Sequence, residues 1–478
     1  MGSMRALQER KGEYRSSCHA FLGRLHQFLN IKFHSELMEM KNAAGGTATN
    51  STAQLPVLVG HERAYRNLWR FAGLIAFARE ADGDEFIELR RLYERPVKQF
   101  LQDEVQDHIT AWKKITRKPT QEETDLTFNA PEKGELVSIS TARKLTVKKS
   151  IARIRSGSLV GNGVDRPQAG LINSHQAFAG AFGEIYQLVF REQNFVVDFF
   201  HMSSRSTFEF VDFVLSAPPE ARYLNDLGTL RAVEQDKLRA KLTYDFMTDL
   251  FSFLIQDFQN MVDWATTNDA MQGVGIMHAI EQKLSSLAET DQEFLLKTLQ
   301  MLHDRLAGLF SRFLDDQIKA IEETKVKIKK RKGVIGFMRV FPAFAARIEE
   351  QLPYDNITST PHSTSYQELE VREMVNDGYG KINKAMFESL QAIAKESPNV
   401  TSQSVDPEDK EQLNYHIMMI ENMHHYIEEV DTRGNQILDG FMRTAEEEYK
   451  EHMGLYINAV IRRPLSKLLV CSPASPNL

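Results

Sequence analysis

Three observations predict an all-α fold. Apolar residues recur every three or four positions over long windows. Convincing strand patterns are nearly absent, since the one alternating stretch, LVSIS at Leu136–Ser140, is short and isolated. Breaks rich in Gly, Ser, Thr, Asn and Pro separate the periodic segments. Several helical bundles joined end to end, an elongated rod, is the arrangement such a chain is expected to adopt.

Composition sets the bounds. The 478 residues are 42% hydrophobic and include 29 Phe, which is ample for a packed core. A net charge of -7 argues against a dedicated nucleic-acid binder. Cys18 and Cys471 cannot supply a disulfide framework or a cysteine zinc site, and their scarcity fits a reducing compartment. The sequons at Asn50, Asn356 and Asn399 carry no weight without a secretory signal. No apolar run reaches the ~20 residues of a membrane span. The opening Met1–Ser3 reads as a cloning scar.

Taken in order, the expected segments are an N-terminal helical bundle at 1–115, a basic, loop-rich linker at 116–172, a central bundle with long helices at 173–352, and a C-terminal bundle at 353–478. Within the first, Asn42–Thr52 reads as a flexible loop, and ADGDE at Ala81–Glu85 as a turn before a helix. In the central segment, Leu238, Leu242, Phe246, Leu250, Phe253, Leu254, Phe258 and Met261 form one stripe. Leu295, Leu299, Leu302, Leu306, Leu309, Phe313 and Ile321 form a second. Thr290 and Glu293 predict a capping box at the start of the second helix, which the pattern carries to about Lys332. In the C-terminal segment, Asp406-Pro407-Glu408 predicts a helix start. A last helix is expected from about Gly434 to Arg463, ending near Pro464.

Chemistry is suggested first by LNYHIMMIENMHHYIEEV, Leu413–Val430, with three histidines. At 100° per residue, Ile417, Ile420, Met423, Ile427 and Val430 form the apolar stripe and His416 falls within it. His425 points away, towards Glu421 and Glu428, and reads as solvated. His416 and His424 are eight positions apart, about 12 Å along the axis, so no metal ion bridges them. No pair has the four-residue spacing of a helical zinc site. The geometry favours a buried or interfacial His416 over a metal or proton-transfer site.

Other motifs fail. GNGVDRPQAG, Gly161–Gly170, has Arg166 where a dinucleotide fingerprint needs its third glycine. No Walker motif and no G-x-S-x-G elbow occurs. EQNFVVDFFHMSS, Glu192–Ser204, reads as core, with a protein-docking patch as the alternative were it exposed.

Two basic runs reverse the sign of the chain locally. One is Lys325, Lys327, Lys329, Lys330, Arg331 and Lys332; the other includes Arg143, Lys144, Lys148, Lys149, Arg153 and Arg155. They are candidate contacts for anionic lipid headgroups or acidic partner subunits. The plainer alternatives are a solvated helix end favoured by the helix dipole and a linker. Nucleic acid is disfavoured because aromatics do not interleave with the cations.

EQNFVVDFFHMSS, KIKKRKGVIGFMRVFPAF and NYHIMMIENMHHYIEEV, in that order, resemble the C-terminal region of the exocyst complex component 1 family, a phosphoinositide-binding large subunit, in a fungal form. The resemblance covers about 180–469. It implies a rod of stacked bundles, as in multisubunit tethering complexes, and a non-catalytic scaffold. Such a scaffold helps tether secretory vesicles to the plasma membrane before SNARE-mediated fusion. It implies no cofactor and no small-molecule substrate, other exocyst subunits as partners, and anionic plasma-membrane lipids as further candidates. It implies a cytoplasmic location, peripheral at plasma-membrane sites of secretion such as bud tip, hyphal tip or cell cortex. Family members bind Rho-family GTPases and phosphoinositides through an N-terminal module not evident in this sequence, so its residues carry over to no position here. Two other readings are a helical membrane-associated dimer that binds anionic bilayers through basic patches, and an all-α metalloenzyme using histidine and acidic residues.

Overall fold

Helical periodicity governs the structure, a computed structural model that describes residues 5–46, 55–129, 172–204, 210–216, 218, 223–267, 269–327, 333–352, 369–395 and 407–469. Among these residues no strand forms. Two isolated bridges, Thr116 with Ile172 and Ala232 with Thr290, are the extended pairings. The fold is all-α, as its sequence predicts.

The chain divides into two units, Met1–Lys118 with Ile172–Phe310, and Pro119–Leu171 with Ser311–Leu478. The four segments expected from composition remain a proposed organisation beside this division. LVSIS, GNGVDRPQAG and the three sequons lie outside the described residues.

The first unit contains α1 (Arg5–Gly46), α2 (Glu62–Trp69), α3 (Ala72–Ala81), α4 (Gly83–Lys114), α6 (Ser174–Phe199), α7 (Phe210–Ser216), α8 (Lys237–Leu250), α9 (Leu254–Thr266), α10 (Gln272–Leu287) and part of α11 (Glu293–Lys327). Helix α1 runs through residues 42–46 of the expected loop, because nothing in Asn42-Ala43-Ala44 stops a helix before the glycine pair. The turn expected at Ala81–Glu85 shrinks to Asp82, which starts α4 with its carboxylate accepting from the backbone N–H of Asp84 and Glu85. The centre is aromatic. Phe33, Tyr93, Phe195, Phe199 and Phe200 meet at ring-centroid separations of 5.0–6.5 Å.

Two sequence expectations need correction here. The stripe from Leu238 to Met261 breaks at Phe251–Phe253 into α8 and α9. Leu238 is 80% exposed, because it lies in the first turn of α8, where Asp236 caps the helix ahead of its buried face at Phe246, Met247 and Leu250. The capping box at Thr290 does not form. The Thr290 hydroxyl donates to Leu287 O and the Thr290 backbone pairs with Ala232, so the chain stays extended and α11 starts at Glu293.

The second unit contains α5 (Gln121–Thr124), the rest of α11, α12 (Gly336–Glu349), α13 (Glu370–Lys395), α14 (Pro407–Arg433) and α15 (Asp439–Leu469). Its core joins Phe341, Phe344, Tyr379, Met419, Met423 and Tyr426, all buried. Pro407 opens α14 as predicted. The last helix begins five residues later than expected. Gly434 takes a left-handed conformation at φ 61° and a short 3-10 turn, Gln436–Leu438, intervenes. That helix also continues through Pro464 to Leu469. Proline forfeits one backbone bond but does not forbid continuation, and Pro96 and Pro342 likewise lie inside helices.

Candidate interaction surfaces

The histidines of α14 do not converge. His416 is 4% exposed, as its place in the stripe implies. Its Nδ1 lies 2.9 Å from Nδ1 of His452 on α15, a partner 36 residues away that the sequence does not announce. His424 is exposed, with Nδ1 3.6 Å from Glu428. His425 corrects the expectation of a solvated ring: it is half-buried, and burial draws its pKa down. Helix α14 packs against α12, α13 and α15, so its polar face is narrower than a one-sided stripe implies. For the same reason the deepest row is Met419, Asn422, Met423, Tyr426 and Val430, with Ile417, Ile420 and Ile427 half-buried. No group of three or more potential metal ligands occurs among the described residues.

A second constellation has the composition of an active site but not the access. Glu192 on α6 accepts from the hydroxyls of Tyr65 on α2 and Tyr93 on α4, each at 2.6 Å. His61 Nε2 lies 3.1 Å from Glu104 beside it. Burial pushes the Glu192 carboxyl and both phenols upward. Glu192 is 1% exposed and each of its oxygens holds a tyrosine, so the network fixes three helices rather than receiving a substrate. His303 Nε2 and Glu281, 2.6 Å apart and buried, tie α11 to α10 in the same manner.

The stretch Glu192–Ser204 is core, as expected, and not a docking patch: eleven consecutive residues from Glu192 to Met202 are buried. Asp198 takes a bidentate bond from Arg231, both at 2.8 Å. Glu234 accepts from the Ser203 hydroxyl and from the backbone and hydroxyl of Ser204. Despite the cost of its partial burial, these bonds hold its carboxyl down at about 2.

Of the predicted basic contacts, Lys325 is half-buried in the last turn of α11, and Lys327 is that helix's last residue. Lys329, Lys330, Arg331 and Lys332 lie outside the described residues, as do Arg143, Lys144, Lys148, Lys149, Arg153 and Arg155. Sequence reasoning missed a groove of about 600 Å³ whose walls include Arg66, Arg70, Arg191, Trp69 and Tyr223. Its parts come from three separated stretches, and only Arg66 and Arg70, four apart, give any local signal.

Helices packed around sealed polar networks define an all-α protein whose buried acid and base groups are committed to the fold. No helix among the described residues is long and apolar enough to cross a membrane. Comparison with known proteins fixes the family. The model for the C-terminal region of exocyst complex component Sec3 matches residues 199–470, and the chain belongs to that family. It is 22% identical to exocyst complex component 1 of Mus musculus over 480 residues, covering 94% of this chain and 49% of that protein. It is 25% identical over 252 residues to exocyst complex component SEC3A of Arabidopsis thaliana, covering 51% of this chain and 25% of that protein. The chain thus spans about half the length of its mouse relative, and less of the plant one. No solved structure matches.

Proposed function

We propose that this chain acts as a non-catalytic scaffold subunit of the exocyst, helping to tether secretory vesicles to the plasma membrane before SNARE-mediated fusion. The observation that carries this reading is the family match over 199–470. The sealing of Glu192, Glu281 and His303 inside helical packing supports it, since these acid and base groups serve the fold. The partners are other exocyst subunits. The location is cytoplasmic, peripheral at sites of secretion.

The basic runs at Lys325–Lys332 and Arg143–Arg155 are proposed contacts for anionic lipid or acidic subunit surfaces. Reversing Lys329 to Lys332 to glutamate is expected to lower vesicle binding or subunit capture without lowering the unfolding midpoint. Unchanged binding to both would remove these residues from the reading.

The decisive experiment is capture of the tagged chain from fungal cells, followed by mass spectrometry. Recovery of the other exocyst subunits is the expected result. Their absence, when the longer protein containing this chain also fails to recover them, overturns the assignment.

A further inference from the structure

The groove bounded by α2 and the segment Tyr223–Gly228 has no role in the fold described above. Arg66 and Arg70 lie four residues apart at the C-terminal end of α2 and share one face. Both are exposed, and neither has a carboxylate partner among the described residues; Arg66 Nε donates to Glu62 O. The two acids of the groove are committed. Glu62 is ion-paired with Arg191. Asp226 accepts from the Gly228 backbone N–H at 2.9 Å and the Thr229 hydroxyl at 2.7 Å. The uncommitted charge is therefore entirely arginine.

The helix dipole alone accounts for cations at the end of α2. It does not account for what surrounds them. Trp69, 9% exposed, lines the same groove, and Tyr223 lies across from α2 with 85% of its surface in solvent. A tyrosine so exposed gains nothing from burial here, yet it stands where an entering chain would cover it. Guanidinium forks take carboxylates in bidentate fashion, and aromatic walls take a flat or apolar side chain between them.

We infer that this groove binds an acidic peptide segment of a partner protein, one with an aromatic or apolar side chain between its carboxylates. The concave shape and the volume, about 600 Å³, suit a short run of side chains. A bilayer is too flat to enter it, and an inorganic anion is too small to fill it. The inference draws on the scaffold reading only in expecting a protein as the source of the segment.

The test uses the full 478-residue chain and a fluorescein-labelled random copolymer of glutamate and tyrosine, read by anisotropy at physiological salt. Binding is expected, at least about tenfold weaker in Arg66→Glu/Arg70→Glu. Arg63→Glu, on the outer face of α2 and not in the groove, is expected to bind as the parent does. Circular dichroism checks that each variant is folded. Absence of binding overturns the inference. So does an equal loss in Arg63→Glu, which means diffuse attraction, or full displacement by millimolar inorganic phosphate, which means a small-anion site. Loss of binding to phosphatidylserine vesicles in the groove variant, with copolymer binding intact, also overturns it and makes the patch a lipid contact. None of these outcomes depends on whether exocyst subunits are captured, so the groove and the family reading fail separately.

Discussion

His416 and His452 face each other Nδ1 to Nδ1 at 2.9 Å between α14 and α15, and both rings are buried. One ring donates and the other accepts, so at least one imidazole is neutral. Tyr415 packs against both rings at 5.3 Å. Burial, and then the nearby His452, hold His416 below its ordinary value of 6.5.

The consequence is a loss of stability in mild acid. A histidine with a lowered folded-state pKa leaves the unfolded chain binding more protons as pH falls below 6.5. Its contribution is therefore whole above 6.5 and is lost as pH falls through the folded value. His108 acts in the same direction. Its Nε2 accepts from Trp112 Nε1 at 3.0 Å, and burial pushes its pKa to about 4. That shift corresponds to a loss of order 3 kcal/mol, complete near pH 4. His61 opposes: burial pulls it down, but the bond to Glu104 and nearby carboxylates raise it overall. The midpoint of thermal unfolding is expected to fall steadily from pH 7 to pH 5, and less steeply in His416→Phe/His452→Phe. An unchanged slope in that variant would mean that the lowered His416 pKa does not set the acid sensitivity.

Asp198 and Arg231 hold the end of α6 to the segment before α8 through two bonds of 2.8 Å. With Asp198 mostly buried, Arg231→Met leaves its carboxylate without a cation, held only by the Asn225 amide at 3.1 Å, and is expected to cost about 3 kcal/mol in denaturant unfolding. Adding Asp198→Asn to that variant is expected to recover part of the loss. A double variant no more stable than the single one would count against a stranded charge.

Tyr65 and Tyr93 share the Glu192 carboxylate. Replacing either with Phe is expected to cost about 1 to 3 kcal/mol. Because both bonds end on one group, the two losses should not add, and a double-mutant cycle measures the coupling. Strict additivity would mean that the network does not act as a unit.

The legibility of this fold in its sequence follows burial. The α11 stripe is readable from Leu295 to Leu306, all four of its leucines being buried. Beyond that the buried row is Phe310, Leu314, Gln317 and Ile321, while the expected Leu309 and Phe313 are half-buried. A fixed apolar spacing drifts against a 3.6-residue turn, and the neighbours change along so long a helix. A helix end is read correctly where a local group decides it, as at Pro407. It is misread where a distant strand-like pairing intervenes, as at Thr290. The candidate interaction residues divide in the same way. His416 is recognisable as buried, but its partner His452 is not, and the arginine groove needs Tyr223 brought to α2 by the fold.

His201 holds φ at 50° where a helix end usually has glycine. Met202 N donates to Val197 O at 2.8 Å, closing the turn. The ring offsets the conformation: its Nε2 lies 2.9 Å from Ala72 O, and it packs edge-to-face with Phe213 at a centroid separation of 5.1 Å. His201→Ala keeps the strain and loses the ring contacts, whereas His201→Gly loses the contacts and the strain together. Both are expected to destabilise, with glycine the milder by about 1 kcal/mol. Alanine equal to or better than glycine would show that the backbone there is unstrained.

Gly180 on α6 sets how closely that helix approaches α4. A Cβ at this position would stand only 2.6 Å from Cζ2 and Cζ3 of the Trp112 indole, and the ring cannot step aside cheaply, since Trp112 is 5% exposed and bonded to His108. Gly378 on α13 has a milder conflict, with Leu314 Cδ1 at 2.8 Å, because a leucine end can rotate away. Alanine raises helix propensity at both sites by up to about 1 kcal/mol. Overpacking costs about 1 to 3 kcal/mol when the neighbour is rigid. Gly180→Ala is therefore expected to destabilise the chain, with Gly378→Ala near neutral. Trp112→Leu should relieve the first clash, so the pair Gly180→Ala/Trp112→Leu is expected to be more stable than the sum of its single changes predicts. If the two losses simply add, the indole is not what excludes a side chain at 180.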